Sequence, residues 1–447
     1  MKHTEGDANT SVARATWDSA AVDPQTRDLL DRDARAFLHQ SLSSPCLSTI
    51  VRAEGIWIED TAGRRFMDFH GNSVHHLGYG HPHVVAAIKD QLDSLPFSPR
   101  RFTNDVSVTL AERLGQLAPA GLDKVLFTTG GSDTIEVALK IARAATGRFK
   151  TLSFWDSFHG AGFGAASVGG EATFRSHIAG PLLPGAEHIA PFHCYHCAYG
   201  HPGPDQCGLA CASMVDYVLR REGDVAAVIA EPMRAIPVVP PPGYWQAVQA
   251  ACHRHGTLLI MDEIPTGLGK TGRFFAFDHD GITPDIVTLG KALGGGVLPL
   301  AAVVARADLD VAGEFAIGHY THEKNPVTAR AGLAMLQVIE EDGLVDRAAR
   351  LGTAAMDRLR DSLGTLPHVG EIRGRGLMFG VEIVTDRDSR DPDPGRAERI
   401  FYACLAEGLS FKISAGNVLT LSPPMVIAQA DLDHALTMGE TAIRDIG

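Results

Sequence analysis

The sequence predicts an α/β protein built on a largely parallel β-sheet with helices on both faces. Hydrophobic residues make up 45% of the chain and are accompanied by 47 glycines, a composition typical of α/β enzymes. Short apolar runs also alternate with helical stretches from Val125 onward, as they do where crossover helices connect parallel strands. The predicted strands are residues 125–128, 152–155, 225–229, 258–261 and 286–289.

Each predicted strand is followed at once by residues with distinctive chemistry. The five groups are residues 130–133 (Gly-Gly-Ser-Asp), residues 156–160 (Asp-Ser-Phe-His-Gly), Glu231 with Pro232, Asp262 with Glu263, and Lys291. Ligands of open α/β sheets bind at the carboxyl ends of the strands. We therefore expect the five groups to converge on one site.

Two of these strands end in opposite charges, Asp262 and Lys291, and glycines at 294–296 leave room beside the lysine. An acid and an amine at one sheet edge suit a cofactor that needs both a cationic ring and a covalent tether. Partial burial would lower the pKa of Lys291 and make it a usable nucleophile. The alternatives are a helix cap or solvated acid for Asp262 and a surface amine for Lys291.

Two further motifs bear on a cofactor. Gly131 and Ser132 open a predicted helix, whose free N–H groups and dipole would cradle a phosphate, although an ordinary serine cap is the alternative. Phe158 can stack on a flat ring or pack in the core.

A nucleotide-binding P-loop is excluded. Residues 267–271 end like a P-loop, but Ile264 stands where the first glycine of that motif is required.

The chain of 447 residues is long enough for two hydrophobic cores. We expect a large domain over residues 76–330 and a small domain formed by residues 1–75 and 331–447. The predicted elements of the small domain are a helical N-terminal arm before about residue 45, anchored by Leu29, Leu30, Phe37 and Leu38, a β-hairpin over 55–69, a long amphipathic stretch over 331–363, strands within 369–384 and a final helix from Asp431.

Charge and hydrophobicity exclude some classes of partner. The formal net charge of -13 argues against nucleic acid and anionic membranes. No apolar run approaches the roughly 20 residues that a membrane span needs, and residues 1–9 lack the apolar core of a secretory signal. We expect a cytoplasmic enzyme.

Four of the seven cysteines form a cluster, Cys194, Cys197, Cys207 and Cys211. The odd total and the expected compartment argue against a disulfide framework. The two close pairs have loose spacing for a structural zinc site, so we predict no metal and an ordered loop of reduced thiols; zinc remains the alternative.

Several motifs together resemble the class III aminotransferases in order and spacing, over nearly the whole chain. The matching residues are 131–133 with Glu136 and Lys140, 158–160, 230–232, 241–245, 262–264, 266–267, 269–272 and 290–296. The resemblance implies pyridoxal 5'-phosphate (PLP) as cofactor and the fold-type I architecture: a large domain with a mainly parallel sheet of the seven-stranded type and a smaller α+β domain. It also implies a homodimer with shared active sites.

The same resemblance implies roles for individual residues. Lys291 matches the lysine that forms the Schiff base, and Asp262 the acid that keeps the pyridine nitrogen protonated. The other cofactor-binding positions implied are Gly131 and Ser132 at the phosphate, Phe158 and Ile264 on the two ring faces, His159 and Glu231 near the ring, and Thr321 reaching the phosphate of the neighbouring subunit.

Departures from the family pattern bear on the reaction. Pro265 stands where many relatives have a glutamine that bonds the ring hydroxyl, and Thr420 where relatives using 2-oxo acids have a carboxylate-binding arginine. Residues 69–75, 95–101, 262–266 and 319–324 resemble one branch in particular, the (R)-1-hydroxy-2-aminoethylphosphonate ammonia-lyases. A phosphonate needs cations, for which His75, Arg100, Arg101 and Lys412 are candidates; solvated or interface charges are the alternative.

The sequence thus supports a PLP enzyme acting on a small-molecule amine, and leaves its reaction open. The first hypothesis is an ammonia-lyase that converts the hydroxy-aminoethylphosphonate to phosphonoacetaldehyde and ammonia. The second is an ω-aminotransferase that passes the amino group to an oxo acid or aldehyde. A binding protein without activity is the third, and the intact pair of Asp262 and Lys291 argues against it.

Overall fold

The computed structural model describes residues 11–40 and 46–446. By its internal contacts, the chain divides into two units. The smaller unit combines Met1–His81 with Arg347–Gly447, and the larger unit is Pro82–Asp346. The boundaries predicted from the sequence, 75/76 and 330/331, lie N-terminal of both positions. The helix Pro326–Glu341 stays with the larger unit because it packs on Pro82–Ser94.

The larger unit contains a seven-stranded sheet. Its strands, labelled β1 to β7 in chain order, are Leu122–Thr128, Lys150–Phe154, Ala186–Ile189, Val225–Ala230, Leu258–Asp262, Ile286–Leu289 and Ala301–Arg306. Their order across the sheet is β1-β7-β6-β5-β4-β2-β3. Strand β7 runs antiparallel to its neighbours β1 and β6, while the pairs from β6 to β3 are parallel. The predicted mainly parallel sheet is confirmed.

Helices flank this sheet. The α-helices of the larger unit are Pro82–Ser94, Asp105–Leu117, Gly131–Thr146, Phe163–Val168, Ala172–Arg175, Ala210–Glu222, Tyr244–His255 and Pro326–Glu341, and its 3-10 helices are His177–Ala179, Pro204–Gln206, Ala276–Asp280, Lys291–Gly294 and Ala307–Leu309. The helix Gly131–Thr146 buries Ile135, Ala138 and Ala142 against the sheet, where they pack with apolar side chains such as Ile229 and Ile260. Burial of this face fixes the helix start at the end of β1.

The smaller unit has two four-stranded sheets. One consists of Arg52–Glu54, Trp57–Glu59, Arg65–Asp68 and Leu409–Ser410, and the other of Val369–Arg375, Met378–Ile383, Val418–Leu421 and Lys412–Ser414, each in spatial order. Its helices are Val12–Ala21, Pro24–Ala36, Pro394–Ala406, Gln429–Asp445 and the 3-10 turn Gly71–Ser73, and Leu344–Leu363 begins just before the boundary. The mixture of helices and sheets agrees with the predicted α+β class.

Some elements differ from the prediction. The sequence reading missed β3 and β7: β3 is a short edge strand, and β7 is alanine-rich, so neither has a strong strand signal. The amphipathic stretch over 331–363 belongs to two helices separated at Gly343, whose φ of +59° lies in the left-handed region.

The predicted anchors of the N-terminal arm are not buried within this chain, where Leu30 is half-buried and the other three are exposed; their packing on a partner stays a prediction. Leu29 is 40% exposed, Phe37 68% and Leu38 95%. The large apolar side chain that this arm buries is Trp17, which lies against Tyr402 as the helix Val12–Ala21 packs on Pro394–Ala406. Among the described residues, none of the helices is both long enough and apolar enough to cross a bilayer.

Candidate active site

The carboxylate of Asp262 lies at the carboxyl end of the central strand β5 and is 2% exposed. Its Oδ2 atom is 2.7 Å from Nδ1 of His159, and its Oδ1 accepts hydrogen bonds from Thr288 Oγ1 at 3.2 Å and from the Ile264 amide at 3.1 Å. The strand register explains the threonine contact, since Thr288 of β6 pairs with Asp262. The carboxylate is therefore held in one orientation from three directions.

Lys291 follows β6 and begins the 3-10 helix Lys291–Gly294. The residue is half-buried, and its φ of +47° lies in the left-handed region that residues with side chains seldom adopt. Such strain costs on the order of 1–3 kcal/mol and concentrates at functional sites. Partial burial was predicted from the flanking apolar strand and glycines, and it is confirmed.

The glycine turn after β1 packs against the loops that follow β2, β5 and β6. A side chain at Gly131 would bring its Cβ within 3.0 Å of Ile264, and one at Gly290 within 3.3 Å of the same side chain. Ser132 Oγ accepts a hydrogen bond of 3.0 Å from the Ala161 amide. Gly131 and Ser132 are also the first two residues of a helix. The free backbone N–H groups of the helix start therefore lie beside the Ser132 hydroxyl, an arrangement that can bind an anion.

Two more predicted residues flank the buried acid. Phe158 is 38% exposed, and its ring centroid lies 4.3 Å from that of Phe174. Glu231, after β4, is buried and accepts a 2.8 Å hydrogen bond from the Ala235 amide. Burial raises the pKa of Glu231, whereas the nearby Arg234 and His159 lower it. The groups after β1, β2, β4, β5 and β6 thus lie together, as the strand pattern predicted.

Thr321 and the candidate substrate cations differ in burial and belong to different units. Thr321, Arg100 and Arg101 are exposed in the larger unit. In the smaller unit, His75 is buried with Nε2 at 2.9 Å from the Asp68 carbonyl, and Lys412 is half-buried on a strand beside Thr420. Their roles in substrate binding stay predictions.

The two departures from the family pattern are both buried. Pro265 lies in the turn after Asp262, where it offers no donor. Thr420 Oγ1 donates to Ser414 Oγ at 2.9 Å, so its hydroxyl is satisfied within the smaller unit.

The sequence analysis did not single out Thr288 or Arg234, and it named Glu263 only as the neighbour of Asp262. Thr288 had a usable signal, because it is the polar residue of an otherwise apolar strand. Glu263 is fully buried, accepting hydrogen bonds from Thr266 Oγ1 at 2.6 Å and the Phe277 amide at 3.0 Å. Arg234 is buried beside Glu231, and its position in a proline-rich loop gave no hint of burial.

The cysteine cluster lines a small cavity in the larger unit. Cys194, Cys197, Cys207 and Cys211 surround about 20 Å³, room for a single water. Burial raises the pKa of the Cys211 thiol to about 11, which keeps it protonated at neutral pH. No disulfide joins the cysteines of the described chain. The predicted absence of a metal stays a prediction.

Comparison with known proteins identifies the family. The class-III aminotransferase family matches residues 39–443. This chain belongs to the class III aminotransferases. It is accordingly a PLP-dependent enzyme of fold-type I.

Relatives of the class III chain catalyse different reactions. An (R)-1-hydroxy-2-aminoethylphosphonate ammonia-lyase of Vibrio splendidus is 43% identical, over 99% of this chain and 95% of the relative. A leucine/methionine racemase of Thermococcus litoralis is 36% identical, over 94% and 96%. The crystal structure of a PLP-bound amine transaminase from an uncultivated Pseudomonas species has a TM-score of 0.86 and 31% identity, with 92% of this chain and 99% of the other covered.

The site of this class III enzyme fits PLP. The buried carboxylate of Asp262 suits a protonated ring nitrogen, and the glycine-lined helix start at Gly131 and Ser132 suits a phosphate. Gly160 makes the cradle possible, because a Cβ there would lie 2.4 Å from Ser132 Oγ. Lys291, at the end of the neighbouring strand, supplies an amine.

Proposed function

We propose that this enzyme is an ammonia-lyase that converts (R)-1-hydroxy-2-aminoethylphosphonate to phosphonoacetaldehyde and ammonia. The observation that carries the proposal is the 43% identity, over 99% of the chain, with a lyase of that specificity. Thr420 supports it, because a lyase needs no second, oxo-acid substrate and hence no arginine at that position. Loss of the β-hydroxyl as water and hydrolysis of the resulting enamine balance the reaction.

Lys291 carries the chemical steps at the substrate. Its amine would hold the cofactor and, in the reaction, would take the proton from the substrate carbon next to the nitrogen. The strained backbone conformation at Lys291 fixes the direction in which the side chain leaves the main chain. PLP supplies the electron sink that makes this proton acidic.

Asp262 keeps the ring nitrogen protonated, and its neighbours keep Asp262 in place. His159, Thr288 and the Ile264 amide together engage both carboxylate oxygens, so that the acid meets the ring in one orientation. Hydrogen bonds to charged groups contribute about 1.5–3 kcal/mol each, enough to hold this geometry.

The remaining cofactor contacts follow from the same site. Gly131 and Ser132 would hold the phosphate at the helix start, and Phe158 and Ile264 would contact the ring. Glu231 would lie near the ring, and its burial beside Asp262 raises its pKa.

We infer a homodimer in which the exposed Thr321 completes the phosphate site of the second copy. Light scattering of purified enzyme at two concentrations measures its mass. A monomer at both concentrations would exclude this role for Thr321.

An ω-aminotransferase is the second candidate, because the PLP-bound amine transaminase shares the fold with a TM-score of 0.86. Lys291 and Asp262 would have the same roles, but the amino group would be transferred to a carbonyl acceptor instead of being released as ammonia. The two reactions differ in stoichiometry: a lyase turns over with the amine alone, whereas a transaminase stops after one half-reaction.

Incubation of the holoenzyme with the hydroxy-aminoethylphosphonate alone separates the two candidates. Sustained release of ammonia and aldehyde, many equivalents per active site, is expected. A single equivalent that becomes many only after addition of an oxo acid would overturn the lyase and establish the transaminase. The other enantiomer of the substrate serves as a control for adventitious release.

A further inference from the structure

Arg234 is a buried cation at the carboxyl edge of the sheet. It lies four residues beyond the end of β4 and is 8% exposed. Its amide donates to the Val238 carbonyl at 3.0 Å, which closes the loop and fixes the arginine backbone. Such a side chain normally needs a carboxylate partner, because a buried charge is costly unless it is paired.

The structure compensates this charge only in part. One terminal nitrogen of Arg234 donates to the Asp156 carbonyl, while Nε is buried and has no hydrogen-bond partner among the described residues. In residues 11–40 and 46–446, no carboxylate forms a salt bridge with this guanidinium. Glu231 is near enough to Arg234 for the arginine to lower its pKa electrostatically, but among the described residues it forms no salt bridge with the guanidinium. A second anion would complete the site.

The position of Arg234 places that anion in the active site. Asp156, which accepts its hydrogen bond, lies just before Phe158 and His159 in the loop after β2. Glu231 is influenced by Arg234 and also by His159 and Asp262, so these four side chains share one neighbourhood. The cation thus lies at the same sheet edge as Glu231, against the loop that carries Phe158 and His159.

We propose that Arg234 binds the anionic group of the amine substrate and thereby determines the specificity of the enzyme. The proposal rests on the proposed function for the identity of that group, a phosphonate. A guanidinium can give a phosphonate two parallel charge-assisted hydrogen bonds. Arg100 and Arg101, in contrast, are exposed, where an ionic contact is weakened by solvent and salt.

The cofactor phosphate is the other anion to consider. It already has a cradle in the helix start at Gly131 and Ser132, which follows β1, whereas Arg234 follows β4. Separate measurements of substrate and cofactor affinity distinguish these two sources of negative charge.

The experiment compares Arg234→Gln and Arg234→Lys with Arg254→Gln, whose arginine is exposed and paired with Asp216. Binding of ethylphosphonate to each holoenzyme is measured by calorimetry, and PLP affinity by titration of each apoenzyme. For Arg234→Gln, we expect ethylphosphonate to bind at least about 30-fold more weakly, with PLP affinity within about 3-fold of wild type. Arg234→Lys should recover part of the loss, and Arg254→Gln should match wild type.

Turnover supplies a second measurement. In Arg234→Gln, KM for the aminophosphonate should rise by a similar factor, while kcat/KM for 1-amino-2-propanol, which lacks the anion, should stay within about 3-fold. Unchanged ethylphosphonate affinity in Arg234→Gln overturns the proposal, and so does an equal loss of PLP affinity. If that variant does not fold, Arg234→Lys decides: its ethylphosphonate affinity should be measurably below that of wild type with PLP affinity within about 3-fold, and unchanged ethylphosphonate affinity overturns the proposal.

Failure of the proposed function is distinguishable from failure of this inference. A wild-type enzyme that releases no ammonia from the amine alone is not a lyase, yet its Arg234 can still bind ethylphosphonate. A lyase whose ethylphosphonate affinity is insensitive to Arg234 overturns the inference alone.

Discussion

Nδ1 of His159 lies 2.7 Å from Oδ2 of Asp262, and both side chains are buried. His159 lies in the loop after β2 and Asp262 ends β5, so only the folded sheet brings them together. The imidazole holds the carboxylate that we assign to the cofactor nitrogen. Within the described part of the chain, Nε2 of the same ring is buried and has no hydrogen-bond partner, so Asp262 is the polar side chain that fixes the orientation of the imidazole.

Replacement of His159 should weaken catalysis without removing the cofactor. In His159→Asn, we expect kcat to fall about 10- to 100-fold, because a hydrogen bond to a charged group is worth about 1.5–3 kcal/mol. The pH dependence of the absorbance of bound PLP should also shift, since Asp262 is held less firmly. His255→Asn is the control, because His255 forms an imidazole–carboxylate pair with Asp216 on a helix surface. Equal effects of the two substitutions would exclude a specific role for His159.

Replacement of Lys291 should remove the covalent link to the cofactor. Lys291→Ala is expected to lose the near-visible absorption of lysine-bound PLP and to lose at least about 1,000-fold in kcat, since nucleophile and base disappear together. Lys89→Ala, at an exposed lysine of the same unit, should resemble wild type. A borohydride-reducible protein adduct in Lys291→Ala would show that another lysine holds the cofactor.

A side chain at Gly160 should disrupt the phosphate cradle. The Cβ of Gly160→Ala would lie 2.4 Å from Ser132 Oγ at a φ of +129°, so both the cradle and the backbone must shift. We expect PLP affinity to fall at least about 10-fold, the equivalent of about 1.4 kcal/mol. Gly121→Ala is the matched control, because φ there is +93° and no atom lies within 4 Å of the added carbon. Comparable PLP affinities in the two variants would mean that Gly160 is not part of the phosphate site.

Glu263 should make stability depend on pH. Burial raises its pKa from 4.5 to about 8. Between these values the folded protein keeps a proton that the unfolded chain has lost, so the free energy of unfolding falls as pH rises, by at most about 1.4 kcal/mol per pH unit. Below about 4.5 and above about 8, the two states carry the same number of protons on this group.

Denaturant titrations at pH 5 to 9 measure the effect. Glu263→Gln should lose less stability than wild type between pH 5 and 8, while Glu341→Gln, at an exposed position, should follow wild type. Parallel curves for Glu263→Gln and wild type would show that the Glu263 carboxyl has no raised pKa.

Much of the site was predictable because the strands carry local signals. Apolar runs ending at Asp262 and before Lys291 fixed the sheet edge and the residues on it, since parallel strands deliver their carboxyl ends to one side. The edge strand β3 and the alanine-rich β7 were not predictable in this way, because their pairing comes from neighbours rather than from their own propensity.

By itself, the sequence determined the fold class, the family and the order of the chemical groups along the sheet edge, because periodicity and motif spacing are local properties. Only the tertiary structure decided which groups meet. It joined His159 and Thr288 to Asp262, pressed Ile264 against Gly131, and buried Arg234 without a carboxylate partner among the described residues. These relationships depend on strand order and register, which bring together residues that are far apart in the chain.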